Sequence, residues 1–263
     1  MKLPIGVVMA AKLKVQEIFD SVQTEGTHAG FPARFVRMWG CNLNCDFCDT
    51  PQVETAKNTA KKEKETLKFV QPDYEEYEPH ELWQQILKDC KSGLIIFTGG
   101  EPTIQDILPV VQNLQQQGKA IAIETNGTNY KMLQQLKAAG AWITWSPKSL
   151  DSLVEAIPDI SITETNNINL WRNIYFNMFS LNIANEIKVI WKTLSNEALD
   201  AIMAHCMSTN IILYIQPMTI ATDMTSMVRD MSDTVKEILT FAQKDPRVLI
   251  RLSIQWHKLL GLR

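Results

Sequence analysis

The chain has 263 residues, of which 45% are hydrophobic and 21% are charged, so it can bury a sizeable core and is neither disordered nor fibrous. Its 26 basic and 29 acidic side chains give a formal net charge of -3, which argues against a nucleic-acid binder. No run reaches the roughly 18 apolar residues that span a bilayer, and residues 5–11 make a poor signal peptide. We therefore expect a cytoplasmic protein without membrane contact.

Short apolar runs rich in β-branched residues alternate with helical patterns along the chain. Between the runs, apolar residues recur at helical spacing within 82–90, 104–114 and 199–206. The alternation predicts an α/β fold, a partial or modified (βα) barrel of about six parallel strands, with a doubly wound open sheet as the second possibility. The predicted strands are 33–38, 94–97, 120–123, 142–145, 186–190, 211–215 and 248–254.

Two segments interrupt this alternation within what we expect to be a single domain, 1–263. Residues 51–80 contain a run of lysine and glutamate without a steady apolar face, which favours a charged loop insertion over a docking site for a partner. Residues 151–184 carry Trp171, Tyr175 and Phe179 among many asparagines, and we expect an irregular insertion there. Its aromatic residues suit a lid, a subunit contact or local core packing.

Three of the five cysteines, Cys41, Cys45 and Cys48, are clustered directly after a predicted strand. An odd number of cysteines grouped in this way is not typical of a disulfide framework. The spacing CxxxCxxC can hold three irons of a 4Fe-4S cluster in an irregular loop and leave the fourth iron without a protein ligand. A structural zinc site would need a fourth ligand, and His28 or Asp46 would have to supply it.

A second motif, Thr98-Gly-Gly-Glu-Pro102, ends the next predicted strand. Its glycines permit a close approach to the backbone, and the Glu101 carboxylate can accept an ammonium group, although a simple strand-to-helix turn is the alternative. Polar residues also occur at or beyond the carboxyl ends of the predicted strands, where the loops of a βα architecture meet. They are Thr98, Glu124, Asn126, Ser146, Lys148, Lys188, Gln216 and His257.

The cysteine string and the GGE turn together resemble the radical S-adenosylmethionine (SAM) superfamily, in which GGE contacts the methionine end of SAM. Further strings resemble the 7-carboxy-7-deazaguanine synthase family, whose members are radical SAM lyases of queuosine and 7-deazapurine biosynthesis. The chain departs from that family where Thr24 replaces a glycine and Trp256 replaces a threonine. The matching strings are 17–26, 28–37, 41–50, 98–102, 124–128, 146–148, 185–189, 216–218, 253–258 and 260–263.

The resemblance implies a carbon-nitrogen lyase that converts 6-carboxy-5,6,7,8-tetrahydropterin to 7-carboxy-7-deazaguanine with loss of ammonia. It implies a 4Fe-4S cluster on the three clustered cysteines, SAM, and Mg2+ with Thr50 as its protein ligand. The radical derived from SAM acts on the substrate, so no side chain is assigned as a catalytic acid or base. An electron donor such as flavodoxin or ferredoxin and a homodimer are also implied.

The same resemblance implies the binding residues. Those for SAM are Phe47, Cys48, Asp49, Gly100, Glu101, Ser146, Pro147, Lys148, Gln216, Pro217, Met218 and Thr219. Those for the substrate are Val22, Gln23, Thr24, Glu25, Arg37, Thr98, His257 and Arg263. Two other functions stay open at this point: a radical SAM activase that acts on a partner protein, and a non-catalytic zinc or iron-sulfur interaction module.

Overall fold

The computed structural model describes residues 11–43, 45, 47–48, 74–149, 164–218, 224–243, 245 and 247–261. Within these residues the strands form one nine-stranded sheet in the order β3-β1-β2-β4-β5-β6-β7-β8-β9. Seven of them, β2 and β4 to β9, run parallel, and β1 and β3 form an antiparallel edge. Their bounds are β1 Leu13–Val22, β2 Pro32–Met38, β3 Glu75–Tyr77, β4 Leu94–Gly99, β5 Ala120–Thr125, β6 Trp142–Trp145, β7 Glu186–Ile190, β8 Ile212–Gln216 and β9 Ile250–Leu252.

Helices connect the parallel strands and begin at residues that satisfy their free amide groups. Glu78 and Glu81 form a capping box at the first helix, and the side chain of Ser195 caps Ala198 N at a later one. The helices are α1 Pro79–Leu87, α2 Leu108–Gln116, α3 Tyr130–Ala138, α4 Glu164–Ser180, α5 Asn196–Thr209, α6 Met224–Ala242 and α7 Trp256–Leu260. No helix in the described ranges is long and apolar enough to cross a membrane.

The two faces of the sheet bury different sets of side chains because successive residues of a strand point to opposite faces. Val36, Phe97 and Ile123 belong to the large core that the helices share. The opposite face, called the inner face here, carries a smaller apolar cluster that includes Phe35 and Ile96. Further along the same strands, its residues become polar. The inner face is therefore apolar near the amino ends of the parallel strands and polar near their carboxyl ends.

The prediction of a partial barrel with a parallel sheet is confirmed, and the seven parallel strands correspond to the seven predicted from the sequence. In the described chain β3 and β9 are the edges of the sheet, so backbone pairing does not close it. The antiparallel strands β1 and β3 were not predicted. Residues of β1 mix apolar and charged side chains on both faces, and a bulge between Val15 and Glu17 disturbs their alternation.

The interpretation of 151–184 as an irregular insertion differs from the structure, because helix α4 occupies residues 164–180. Ile174, Tyr175 and Met178 are buried at helical spacing. The rings of Tyr175 and Phe179 pack edge-on against Trp145 at 5.0 and 5.5 Å, which is local core packing. In the charged segment, residues 74–80 contain β3 and the start of α1. Residues 51–73 and 150–163 lie outside the described residues.

The carboxyl ends of β2 and β4 approach each other so closely that glycine is required. Gly100 N donates to Met38 O at 3.1 Å, and Glu101 N donates to Gly40 O at 2.8 Å. A Cβ atom on Gly100 would lie 1.8 Å from Gly40 O. The loop that carries the cysteines thus passes directly against Gly100. The hydrogen bonds of the GGE turn attach this loop to the end of β4.

Gly100→Ala should lower the free energy of unfolding by about 1–3 kcal/mol or more, because the new methyl group must displace backbone atoms. Gly93→Ala is the matched control, since nothing lies within 4 Å of its added Cβ atom. That variant should be neutral or stabilised by up to about 1 kcal/mol. Urea denaturation measures both values, and equal stabilities of the two variants would contradict the close approach.

Candidate functional site

The cysteine loop follows β2, and its described cysteines form no disulfide. Cys41 and Cys45 are half-buried and Cys48 is exposed. Burial, with added repulsion from Glu101, Cys45 and Cys48, raises the pKa of the Cys41 thiol to about 12, although the amide of Leu43 donates to its Sγ at 3.4 Å. Three neighbouring thiolates repel one another, and a cationic centre would offset their negative charge. The donor set therefore fits a metal cluster.

Two observations bear on the zinc alternative. In the described part of the chain, no group of three or more His, Cys, Asp and Glu side chains is gathered around one point, and this holds for the three cysteines as well as for a closed zinc site. His28 packs edge-on against Trp142, the first residue of β6, with ring centroids 5.0 Å apart. The cysteine loop instead follows the carboxyl end of β2, so His28 is at the other end of the sheet. Asp46 lies outside the described residues.

The loop after β5 connects the cysteine loop with the GGE turn. Asn126 Nδ2 donates to Asn42 Oδ1 at 3.1 Å, and Asn42 Nδ2 donates to Thr128 Oγ1 at 2.8 Å. The carboxylate of Glu101 is fully buried and accepts from Asn126 N at 2.7 Å and from Thr125 Oγ1 at 2.8 Å. Burial raises the pKa of Glu101 despite these hydrogen bonds. Glu101 thus braces this loop with both carboxylate oxygens.

The other residues predicted to bind SAM lie at the carboxyl ends of β6 and β8. Lys148 Nζ donates to Ser146 Oγ at 2.9 Å and lies 5.8 Å from the ring centroid of Phe47 in the cysteine loop. Gln216 is buried, and its Oε1 accepts no hydrogen bond from the described residues. This oxygen suits a ligand hydroxyl or amino group. Pro217 is buried and Met218 is exposed, whereas Asp49, Thr50 and Thr219 lie outside the described residues.

The loop between β1 and β2 lies on the inner face and contributes three predicted substrate residues. Gln23 Nε2 donates to Glu124 Oε1 at 3.0 Å, and Thr98 Oγ1 donates to Glu124 Oε2 at 2.7 Å. Thr24 Oγ1 is 2.9 Å from His257 Nδ1. Gln23 and Thr98 thus meet at Glu124, and Thr24 meets His257; these four residues are among those assigned to the substrate from the sequence.

The next residues of this loop are held by a second carboxylate. Glu186 Oε2 accepts from Thr27 N at 2.9 Å, and Glu186 Oε1 accepts from Thr144 Oγ1 at 2.8 Å. Gly26 has a φ of +65°, and a Cβ atom there would lie 2.4 Å from Glu186 Oε1. The loop therefore needs glycine at this position to pass over the carboxylate.

The ammonium group of Lys188 lies between the carboxylates of Glu25 and Glu124. Lys188 Nζ is 2.5 Å from Glu25 Oε2 and 3.6 Å from Glu124 Oε1, and its side chain is 10% exposed. Burial lowers the pKa of Lys188, but Glu124 and Glu25 outweigh burial and leave the pKa raised. Burial likewise raises the pKa of Glu124, yet Lys188 and the hydrogen bonds from Thr98 and Gln23 leave it lowered. Lys188 and Glu124 are therefore both charged near neutral pH.

Other predicted substrate residues are placed differently. Arg37 Nε donates to Glu17 Oε1 at 2.7 Å, and its guanidinium carbon lies 5.6 Å from the Phe19 ring centroid. The Arg37 charge is thus already paired within the β1-β2 edge. Val22 is exposed at the end of β1. Arg263 lies outside the described residues.

Sequence reasoning did not assign several residues that the structure places in the pocket. Glu124 and Lys188 were recognised at strand ends but were not assigned to the substrate. Glu186, Tyr214 and Ser253 were not singled out. Strand alternation could have found them, because parallel register places Glu186 beside Thr144 and Lys188 beside Tyr214 on the same face.

Several known proteins are similar to this chain. The model of the Radical SAM superfamily matches residues 36–183. A 7-carboxy-7-deazaguanine synthase of Rickettsia prowazekii is 36% identical over 148 residues, which cover 52% of this chain and 52% of the relative. One of Bacteroides thetaiotaomicron is 36% identical over 135 residues, which cover 51% of this chain and 60% of the relative. The chain thus spans about half of the length of these two relatives.

Two further matches extend over nearly the whole chain. A 7-carboxy-7-deazaguanine synthase of Synechocystis is 29% identical over 260 residues, which cover 99% of this chain and 98% of the relative. A crystal structure of QueE from Escherichia coli matches with a TM-score of 0.56 and 22% identity, and covers 93% of this chain and 94% of that chain. The structural match supports the fold described above.

Lys188→Met should leave Glu25 and Glu124 buried without a counter-charge and should lower the free energy of unfolding by about 3 kcal/mol near pH 7. Without Lys188, the folded-state pKa of Glu124 should rise above its unfolded value, about 4.3. A carboxyl with a raised folded-state pKa loses stability as the pH rises, so the deficit should shrink between about pH 7 and about pH 5.

The control for this prediction is Lys192→Met, because Lys192 forms an exposed pair with Glu237 at 2.8 Å. Removing that pair should cost at most about 1 kcal/mol at either pH. Chemical denaturation of both variants at two pH values measures the difference. A deficit of Lys188→Met that grows on acidification would contradict the assigned charges.

Proposed function

Because the chain belongs to the radical SAM superfamily, we propose that it acts as a 7-carboxy-7-deazaguanine synthase. It converts 6-carboxy-5,6,7,8-tetrahydropterin to 7-carboxy-7-deazaguanine with loss of ammonia, as a step in making 7-deazapurines such as queuosine. The observation that carries the proposal is the polar pocket around Glu124. Glu124 is two residues before Asn126, whose side chain contacts Asn42 of the cysteine loop. The similarity to named synthases favours this function over an activase or an interaction module.

Residues of this chain fit the cofactors that the function requires. Cys41, Cys45 and Cys48 would hold the 4Fe-4S cluster, and Gly100, Ser146–Lys148 and Gln216 would line the SAM site. When bound, these groups supply a 5'-deoxyadenosyl radical through reductive cleavage of SAM. Glu101 and Asn126 keep the surrounding loops in place through the hydrogen bonds described above. The apolar cluster at the amino end of the inner face keeps water from that side of the pocket.

The acceptor groups of the pocket suit a pterin. Glu25 and Glu124 offer carboxylate oxygens to the N-H donors of the pyrimidine edge, whereas the amide oxygen of Gln23 accepts from Thr24 N and Glu25 N. Three carboxylates around one ammonium group leave the pocket acidic, which favours a donor-rich ligand. Arg37 would bind the substrate carboxylate after exchanging its partner Glu17. Thr50 would hold Mg2+, which would supply further positive charge for that carboxylate.

Partners follow from the same proposal. The reaction needs one electron per SAM cleaved, so a small electron-transfer protein such as flavodoxin or ferredoxin is expected to dock near the exposed Cys48. Resemblance to the synthase family further suggests a homodimer in the cytoplasm. Size-exclusion chromatography with light scattering measures the oligomeric state directly.

Anaerobic reconstitution with iron and sulfide, followed by incubation with the carboxytetrahydropterin, SAM and dithionite, tests the function. The mass of 7-carboxy-7-deazaguanine should appear together with 5'-deoxyadenosine. Ala variants of Cys41, Cys45 or Cys48 should lose the cluster and the product. Cys206→Ala is the control, because Cys206 is buried in the core. An active cluster-free variant, or 5'-deoxyadenosine without this product in the wild type, would contradict the proposal.

Mg2+ should raise the rate of product formation in metal-stripped buffer, because Thr50 would hold a cation that offsets the negative charge of the substrate carboxylate. Thr50→Ala should weaken this response and leave slow SAM cleavage intact, since cleavage requires only the cluster and an electron. Titration of Mg2+ with wild type and variant measures the effect. A flat titration of the wild type would remove Mg2+ from the proposed site.

A further inference from the structure

We propose that Thr24 is a positioning residue for His257: its hydroxyl accepts a hydrogen bond from Nδ1-H and thereby sets Nε2 of the imidazole as an acceptor for the substrate. The proposal rests on the proposed function for the identity of the substrate. It differs from the expectation that Thr24 itself contacts the substrate. It also gives a role to one of the two positions at which the chain departs from the family it resembles.

The contact joins two parts of the chain that are far apart in sequence. Thr24 Oγ1 and His257 Nδ1 are 2.9 Å apart across 233 residues. Thr24 is 7% exposed, and the His257 side chain is 29% exposed. Beside this contact, Gly26 N donates to Ser253 Oγ at 3.4 Å. The β1-β2 loop is thus connected to the segment that leads into α7, across the open side of the sheet.

The backbone of the loop accepts a β-branched residue at this position. Positive φ values of non-glycine residues in the described chain occur at Asp89, Asn182, Lys192 and Asn210, and Thr24 is not among them. The left-handed conformation is taken by Gly26, two residues later. Threonine in place of glycine therefore requires no unfavourable backbone angle, and its hydroxyl becomes available for the imidazole.

The surrounding charges decide which ring nitrogen carries the proton. Glu25 Oε1 lies 3.8 Å from Nδ1 of His257, on the same edge of the ring as Thr24 Oγ1. A nearby carboxylate favours a proton on Nδ1 over a lone pair there. Glu25 is itself held by Lys188 at 2.5 Å, so its charge stays in place. In the neutral imidazole, Nε2 at the other edge is then the acceptor.

Two substitutions at position 24 separate the hydroxyl from the shape of the side chain. Thr24→Val keeps the branched shape and removes the acceptor, whereas Thr24→Ser keeps the acceptor. Loss of one neutral hydrogen bond should raise the substrate KM of Thr24→Val roughly three- to tenfold. Thr24→Ser should retain most of the wild-type KM.

Nitrogen NMR of the reconstituted protein, with its cluster in the oxidised diamagnetic state, reports the tautomer without any turnover. His257→Asn assigns the signal of His257 among the four histidines. The Nδ1-H tautomer should dominate in wild type and Thr24→Ser and should decrease in Thr24→Val. Thr27→Val is the matched control, because Thr27 Oγ1 bonds Tyr214 OH at 3.1 Å in the same loop. It should leave the His257 signal unchanged.

A double-mutant cycle decides whether Thr24 acts through the imidazole. In the His257→Asn background, Thr24→Val should change the substrate KM by less than about twofold. A full Thr24→Val effect in that background would instead show direct contact with the substrate and overturn the proposal. So would an unchanged His257 tautomer in Thr24→Val, or equal losses in the Val and Ser variants. A wild type that makes no product would reject the proposed function alone, because the NMR result stands independently.

Discussion

The structure of the pocket depends on one buried cation, Lys188. Its ammonium group lies between the carboxylates of Glu25 and Glu124, which come from the β1-β2 loop and from β5. An unpaired buried charge costs about 3–5 kcal/mol, a large part of the roughly 5–15 kcal/mol that stabilises a typical folded domain. The β1-β2 loop can therefore lie on the inner face only because β7 places a lysine beneath it.

The end of β5 connects the acidic pocket with the cysteine loop. Glu124 points to the inner face, where it binds Gln23 and Thr98, and Asn126 follows it and contacts Asn42. The buried carboxylate of Glu101 accepts a hydrogen bond from Asn126 N and fixes the backbone at the end of β5. This arrangement would keep the proposed substrate and cofactor sites in a defined relation, which suits chemistry supplied by a cofactor.

Side-chain contacts bridge the open side of the sheet. Backbone pairing does not join β9 to β3 in the described chain, but Thr24 contacts His257 and Gly26 contacts Ser253. Such contacts are weaker than a strand ladder and tolerate local movement. A substrate that enters this side would meet residues of both segments, and an exchange at position 24 would then act on His257 in α7.

The sequence by itself determined the parallel strands, the cysteine loop and the polar character of the strand ends. Those features are local: an apolar run of β-branched residues, a fixed spacing of three cysteines, and a polar residue at the end of each run all lie within a few positions of one another. The antiparallel edge was beyond such reasoning, because the mixed residues of β1 acquire their strand partners only when β2 and β3 lie beside them.

Only the tertiary structure decided which polar residues line the pocket and which are paired with one another. Arg37 lies in the predicted strand, yet Glu17 of the neighbouring strand holds its charge. Glu101 lies in the predicted turn, yet Thr125 and Asn126 occupy its carboxylate. Thr24 and His257 meet across 233 residues. These pairings depend on strand order and on burial, and a distant partner leaves no periodic or spacing signal in the sequence around either residue.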